Sequence, residues 1–420
     1  MKDIEGGVCA PKGFRAGGIW CGIKASSRKR DLALIYSEKP CTAAAMFTTN
    51  RVKAASVLVS REHAAGGVLR AVIANSGNAN ACTGEPGLAA ARRMAELAAG
   101  EFAINPKEVA VASTGVIGVP LPIAAIESCI SGLADSIRAD AAGHEAALEA
   151  IMTTDTRKKA AGLELEIGGT PGTDGKPGTG GTTVRIGGMT KGSGMIHPNM
   201  ATMLCFVTTD AAISRELLDK ALRRAVRRSF NRVTVDGDTS TNDTIIVMAN
   251  GEAGNAPINS EGRDYTLFAD ALEVLCTKLA RAMARDGEGA SRLVTVSLKG
   301  AADEDTAERL AKTVAASSLV KAACFGADAN WGRVLCAMGY SGVDFEPDKT
   351  DVYFASAAGV ILVCKGGASV PFSEEDAKKI LSPEEIEIRI EIAGSRPGAA
   401  TVWGCDLTYD YVKINGDYRS

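Results

Sequence analysis

Short strand-forming runs alternate with helical stretches along the whole chain, which predicts a mixed α/β fold, α+β in character. Layered sheets are expected to be sandwiched by helices, with a smaller C-terminal α/β part. Three observations carry this. β-rich runs bounded by turn residues recur from residue 14 onward. Helix-length stretches separate them, and neither a clean βαβ repeat nor a dinucleotide fingerprint appears. With 420 residues the chain exceeds one small core, so two domains are expected.

In order, residues 14–60 read as sheet with hairpins, including Asp31–Tyr36. The strand Ala71–Ala74 runs into the polar loop Asn75–Gly84, equally a reasonable site wall or a plain β–α connection, and a helix follows from Pro86 to about Phe102. The strand Val109–Ala112 ends in Ser113-Thr114-Gly115-Val116-Ile117-Gly118. A Thr-Gly there can offer a hydroxyl and a backbone N–H to one oxygen, as an oxyanion hole requires. A turn that glycine permits is the plainer reading. Helices are predicted over 121–138 and 141–152, the second carrying a solvated His144. Leu163–Ile167 and Thr183–Ile186 alternate like hairpin arms around a Gly-, Thr- and Pro-rich tip at 168–181. That tip fails as a phosphate loop because Pro177 follows Lys176.

Beyond Asp210, Ser214 caps a helix whose Arg223, Arg224, Arg227 and Arg228 form a solvated basic face. Strands at Arg232–Val235 and Thr244–Met248 flank the acidic loop Asp236–Asp243. That loop suggests a cation, but its Thr, Ser and Asn serve turn backbone equally well, and no metal is assigned. A long helix over Leu267–Arg285 leads through Asp286–Ala290 to the strand Leu293–Leu298. Asp303 opens a helix to about Ala323, a polar loop spans Phe325–Arg333, and strands at 351–364, 385–393 and 398–413 surround a short helix at 373–381.

The functional centre lies in Lys191-Gly192-Ser193-Gly194-Met195-Ile196-His197-Pro198-Asn199-Met200-Ala201-Thr202-Met203-Leu204, which changes at Ala201–Thr202 from a Gly-rich approach to an apolar strand. A hydroxyl nucleophile needs a base, and the Thr-plus-terminal-amine pair is one solution. An α-amine with a pKa of about 7.7–8.0 is partly unprotonated at neutral pH, unlike a lysine at about 10.4. Thr202 owns such an amine only if the bond before it is cut, so the expectation is self-cleavage at Ala201–Thr202. An ordinary strand-start threonine is the alternative.

Composition narrows the rest. Apolar residues make up 46% and charged ones 23%, the profile of a soluble globular protein, and a net charge of −3 gives no reason to expect nucleic acid or an anionic membrane. Eleven scattered cysteines, never spaced Cys-x-x-Cys, favour reduced thiols in a cytoplasm over disulfides or zinc. No run approaches the roughly 18 apolar residues of a membrane helix. The three histidines, His63, His144 and His197, lie in no recognisable catalytic setting, although His197 could line the site.

The central stretch resembles the self-cleavage site of the ornithine acetyltransferases, the bifunctional glutamate N-acetyltransferases of arginine biosynthesis. Asn75–Gly84, Ser113–Gly118, Met152-Thr153-Thr154-Asp155-Thr156, Asp236–Thr244, Asp286–Ala290, Asn330–Arg333 and Asn415–Ser420 recur in that family in this order. The resemblance implies a fold of the DmpA and ornithine acetyltransferase type, with an alpha fragment 1–201 and a beta fragment 202–420. It further implies a ping-pong transfer of acetyl from N-acetylornithine to glutamate through acetyl-Thr202. Thr114 and Gly115 would hold the oxyanion, and Thr153, Lys191, Thr202, Glu288, Asn415 and Ser420 would bind substrate. No cofactor is implied, with acetyl-CoA as a possible co-substrate and a heterotetramer of two alpha and two beta fragments. A related N-terminal-nucleophile amidase or aminopeptidase, with water as acceptor, is the rival. The chain departs from the family pattern at His197, at Ala327 and in a long 168–181 tip, which as a surface hairpin is not expected to touch the chemistry.

Overall fold

The computed structural model describes residues 1–24, 27–169, 180–197, 203–394 and 396–417. Ala201, Thr202 and Ser420 therefore lie outside the described residues, as do 170–179 of the tip.

The strands of the first part are β1 (Lys2–Asp3), β2 (Phe14–Ile19), β3 (Leu32–Phe47), β4 (Val68–Asn78), β5 (Val109–Val116), β6 (Lys159–Ile167), β7 (Thr182–Lys191) and β8 (Leu204–Thr209). After β9 (Val233–Thr234) comes β10 (Thr244–Ala249). Among the described residues they form one sheet in the order β1-β6-β7-β8-β10-β3-β4-β5, with β2 pairing β3 and β9 belonging elsewhere. Helices α1 (Ala55–Ala64), α2 (Gly84–Glu101), α3 (Ile123–Ser136), α4 (Ala141–Ile151), α5 (Arg215–Arg228) and α6 (Arg263–Arg285) cover it.

β8 explains its own unbroken apolar sequence. Cys205 and Val207 enter the core shared with α5 and α6, while Leu204 and Phe206 enter the core shared with α4. A strand buried on both faces loses the alternation of a half-exposed one. β8 runs parallel to β10 and antiparallel to β7.

The second sheet joins β9 to β11 (Leu293–Ala301), β12 (Thr350–Ser356), β13 (Gly359–Lys365), β14 (Ala368–Ser369), β15 (Glu385–Ile392) and β16 (Gly398–Cys405). Its order is β14-β13-β12-β15-β11-β16-β9. With α7 (Glu304–Ala316), α8 (Ser318–Phe325), α9 (Trp331–Gly339) and α10 (Glu374–Leu381) it has a core of its own, around Val296, Leu310, Val334 and Val402. This is the expected C-terminal α/β part.

Several local expectations are corrected. Residues 14–60 are not hairpins throughout: β3 is one 16-residue strand with a register shift between Tyr36 and Cys41, and 55–64 is helix α1. The valines of α1 look β-forming, but Val57 and Val59 are buried, and Ser60 Oγ donates to Val111 O at 2.6 Å, seating the helix on β5. The helix predicted from Asp303 breaks at Ser317, whose hydroxyl caps α8, and part of the polar loop is α9, capped by Asn330. The strand predicted over 398–413 stops at Cys405, and α11 (Tyr409–Asp417) follows. His144 is buried rather than solvated, pressed against the left-handed turn at Gly7, and burial lowers its pKa. The basic face of α5 is largely paired, with Arg224 on Asp270 and Glu273 and Arg228 on Glu304.

Candidate active site

Six of the residues singled out from sequence line one small pocket of about 210 Å³: Thr114, Gly115, Thr153, Lys191, Glu288 and Asn415. They come from five separate stretches, the end of β5, the loop after α4, the end of β7, the loop after α6, and α11.

The β5 turn accepts no side chain at Gly115. Its φ is +135°, and a Cβ there would lie 2.3 Å from the Gly77 carbonyl carbon. Glycine is thus required both by the backbone and by the close approach of β4. Thr114 next to it accepts a hydrogen bond from Lys191 Nζ at 3.3 Å. A hydroxyl has one donor and two acceptor positions. With Lys191 on the acceptor side, the Thr114 O–H proton is left for an oxygen in the pocket.

Lys191 is only 4% exposed, and Asp155 Oδ2 lies 3.9 Å from its amine. Asp155 also accepts from Lys159 Nζ at 2.6 Å, Gly192 N at 2.7 Å and Thr153 N at 2.9 Å. Burial raises the Asp155 pKa, but Lys191, Lys159 and these hydrogen bonds outweigh it and hold the carboxyl below the usual carboxylate range. Burial lowers the Lys191 pKa, against the opposing pull of Asp155. Lys159 passes the charge on to Asp286 at 2.5 Å, and Asp286 accepts from Thr156 N and Arg157 N, each at 3.1 Å.

The opposite side carries negative charge. Glu288 lies so close to Gly194 that a Cβ there would come within 2.3 Å of its carboxylate, and Asn415 Nδ2 donates to Glu288 Oε2 at 2.8 Å. Asp236 receives Met195 N at 2.6 Å and Ile196 N at 2.8 Å, and burial raises its pKa. Lys191 is the one cation among the described lining residues, which also include the acidic Glu288, Asp236 and Asp238. That polarity suits a small ligand bearing a carboxylate at one end and an ammonium at the other.

The strand after the expected nucleophile is firmly placed. Met203 N donates to Asp243 Oδ1 at 2.9 Å, and Thr244 N donates to Met203 O at 3.0 Å. Burial raises the Asp243 pKa well above the ordinary value. Asn242 beside it donates to Ala79 O at 2.6 Å and Ser113 O at 2.8 Å, tying the acidic loop to the ends of β4 and β5. Asp236 and Asp243 of the acidic loop thus accept from backbone amides, and Asp236, Asp238, Ser240, Thr241 and Asn242 line the pocket.

His197 does not line this pocket; its Nδ1 lies 3.0 Å from Thr234 Oγ1. Ala327 packs against the second core. Sequence reasoning missed Tyr411, which stands one helical turn before Asn415 and also lines the pocket, and Asp155, which sat unremarked inside a quoted motif. An i, i+4 pair at the tail was the available signal for Tyr411. Among the described residues no helix is long and apolar enough to cross a membrane.

A model of the ArgJ family matches residues 15–420. The arginine biosynthesis bifunctional protein ArgJ of Symbiobacterium thermophilum is 51% identical over 421 residues, covering 100% of both chains. The protein of the same description from Caldanaerobacter subterraneus subsp. tengcongensis is 48% identical over 420 residues, again covering 100% of both. Among solved structures, ornithine acetyltransferase complexed with ornithine from Mycobacterium tuberculosis is 38% identical, covers 48% of this chain and 99% of that chain, and has a TM-score of 0.41.

Proposed function

The chain belongs to the ArgJ family, and from that premise we propose how its pocket performs acetyl transfer. It is a bifunctional enzyme of arginine biosynthesis, an acetyltransferase acting on ornithine-related substrates. In our reading it cuts itself at Ala201–Thr202, leaving fragments 1–201 and 202–420, and then cycles through an acetyl-Thr202 ester.

Thr202 is bonded directly to Met203, the residue anchored by Asp243. Its hydroxyl attacks the acetyl carbon of N-acetylornithine while its own α-amine takes the proton. The Thr114 hydroxyl and the Gly115 N–H stabilise the oxyanion. As the C–N bond breaks, the α-amine returns the proton to the departing ornithine nitrogen. Glutamate then takes the acetyl group by the same steps in reverse. Lys191 receives the α-carboxylate of either amino acid, and Glu288, steadied by Asn415, receives the ornithine side-chain ammonium. Ser420 is assigned to substrate binding by family resemblance. We place the enzyme in the cytoplasm as a heterotetramer of two fragments of each kind, with acetyl-CoA as a second donor.

The observation that supports this best is the convergence of six residues, drawn from separate sequence motifs of one family, on one pocket of amino-acid size with the right polarity. Intact mass measurement of active protein tests it, with fragments ending at Ala201 and beginning at Thr202 as the expected result. Thr202→Ala is expected to yield one uncut, inactive chain. Active protein that remains a single polypeptide would overturn the mechanism.

A further inference from the structure

Beside the pocket lies a much larger cleft of about 1120 Å³, to which the reaction so far gives no use. The two cavities meet at Thr153, which lines both. They are otherwise divided by the end of β5, where Val116 faces the cleft and Gly115 and Ile117 face the pocket. Gly77 completes the partition. It backs onto Gly115 on one side, and on the other a Cβ would come within 2.8 Å of Lys24 Cγ.

The cleft is built for a larger anion than an amino acid. Lys24, Arg28, Lys29 and Arg30 edge it, against Glu149 and Asp155. Lys24 Nζ is committed to Met152 O at 2.8 Å and Arg30 O at 3.0 Å, and Arg30 is paired with Glu149. Arg28 and Lys29 are exposed and have no carboxylate partner among the described residues. Trp20, 49% exposed, stands beside them with its indole fixed by a 3.0 Å hydrogen bond from Nε1 to Ser27 O. Two uncommitted cations next to a fixed exposed indole offer phosphate pairing and a stacking face for a flat ring. A ligand using both, and reaching past Thr153 into a 210 Å³ pocket, needs a polyanionic aromatic head and a slender uncharged arm.

We propose that this cleft binds the phosphate-bearing, purine-containing head of an acyl thioester, whose arm passes Thr153 to present the acyl carbon to Thr202. This rests on the reading of Thr202 as nucleophile and of a thioester as second donor. The Thr202 oxygen forms the new C–O bond, the C–S bond breaks, and the departing sulfur takes the proton that the α-amine removed from the hydroxyl. One acyl pocket then serves two donors through two entrances, the amino acid on the Glu288 side and the thioester on the Arg28 side.

The test compares acetyl transfer to glutamate from acetyl-CoA and from N-acetylornithine, in the wild type and in an Arg28→Glu/Lys29→Glu double variant. The KM for acetyl-CoA is expected to rise at least tenfold, with kcat/KM for N-acetylornithine within twofold of wild type. The second figure reports folding and scission in the same sample. An unchanged KM for acetyl-CoA overturns the proposal. Should the double variant lose both activities, Trp20→Ala is judged by the same criterion. Titration calorimetry with adenosine 3′,5′-bisphosphate separates the site from the donor reading: binding to the wild type that the double variant loses supports the cleft, and no binding overturns it. A wild type that uses N-acetylornithine but not acetyl-CoA refutes only the donor reading, and the titration then decides the cleft by itself.

Discussion

Two walls of the pocket have opposite character. The wall formed by the ends of β5 and β7 is dry and locked by charge: the side chains of Asp155, Lys159, Asp286 and Lys191 are 0%, 1%, 2% and 5% exposed. The facing wall is α11, which buries none of its residues and reaches the site through Tyr411 and the Asn415–Glu288 hydrogen bond. The first wall holds Thr114 and Lys191, the proposed oxyanion donor and carboxylate-binding cation, in place before any ligand arrives, the preorganisation on which electrostatic catalysis depends. The second is tied to the site by little more than one hydrogen bond, so in our proposal it is the wall that accommodates the two amino acids. The charged wall also crosses the proposed cut, because Asp155, Lys159 and Lys191 precede residue 201 and Asp286 follows it.

The sharpest way to break this contrast is Asp155→Asn. It leaves Lys191 without its carboxylate and Lys159 with Asp286 alone, and removing one partner of a buried pair costs about 3–5 kcal/mol. Chemical denaturation is expected to show a loss of that size, together with collapse of acetyl transfer. The pH dependence has a definite sign. The folded-state pKa of Asp155 lies below that of the unfolded chain, so its contribution is fully present above the ordinary carboxylate value of about 3.9 and is lost as pH falls through the lower folded value. The stability gap between variant and wild type should therefore hold steady above about pH 5 and narrow only in stronger acid. A gap below 1 kcal/mol at neutral pH would mean that this wall is not locked by charge.

The adjustable wall predicts a smaller and different effect. Asn415→Ala removes one hydrogen bond to a carboxylate at an exposed position, worth about 1.5 kcal/mol, or roughly tenfold in affinity. KM for N-acetylornithine should rise by about that factor, with kcat and thermal unfolding little changed. A fall in unfolding temperature matching that of Asp155→Asn would erase the distinction between the walls.

How far the sequence disclosed this arrangement depended on range. β8 was legible because a strand buried on both faces advertises itself as an unbroken apolar run, and Thr114, Gly115, Thr153, Lys191, Glu288 and Asn415 were legible because each sits in a motif shared with a known family. Their convergence was not, since it rests on β4–β5 and β7–β8 pairing that no local pattern encodes. Asp155 was overlooked because its significance comes from Lys159, Lys191 and Gly192 meeting around it in space. α11 was misread because Tyr411, Val412 and Ile414 resemble strand residues, and the signal that counted was the helical spacing of Tyr411 and Asn415 over the pocket. α1 failed likewise, its valines being buried by packing on β5 rather than by pairing in a sheet. The residues on either side of the proposed cut lie outside the described structure, so scission rests on the sequence and on the family.

The smallest effect is expected where the loop leading to the proposed cut meets the second sheet. Burial and the nearby Lys312 push the His197 pKa down to about 4, with Asp238 pulling the other way, and its Nδ1 lies against Thr234 of β9. An unfolded histidine titrates near 6.5, so between about pH 6.5 and 4 the unfolded chain binds a proton that the folded chain does not. Stability due to His197 is intact above that window and declines as pH falls through it. Discounted for solvent screening at a partly exposed side chain, the loss is about 1 kcal/mol. His197→Gln keeps a polar group facing Thr234 and cannot titrate, so its unfolding free energy should fall less than that of the wild type between pH 7 and 4.5. Because His197 lies outside the pocket, the same substitution should leave kcat/KM at neutral pH unchanged. A variant whose acid sensitivity matched the wild type would show that the seam carries no proton-linked strain, leaving the buried charged wall as the source of the protein's acid response.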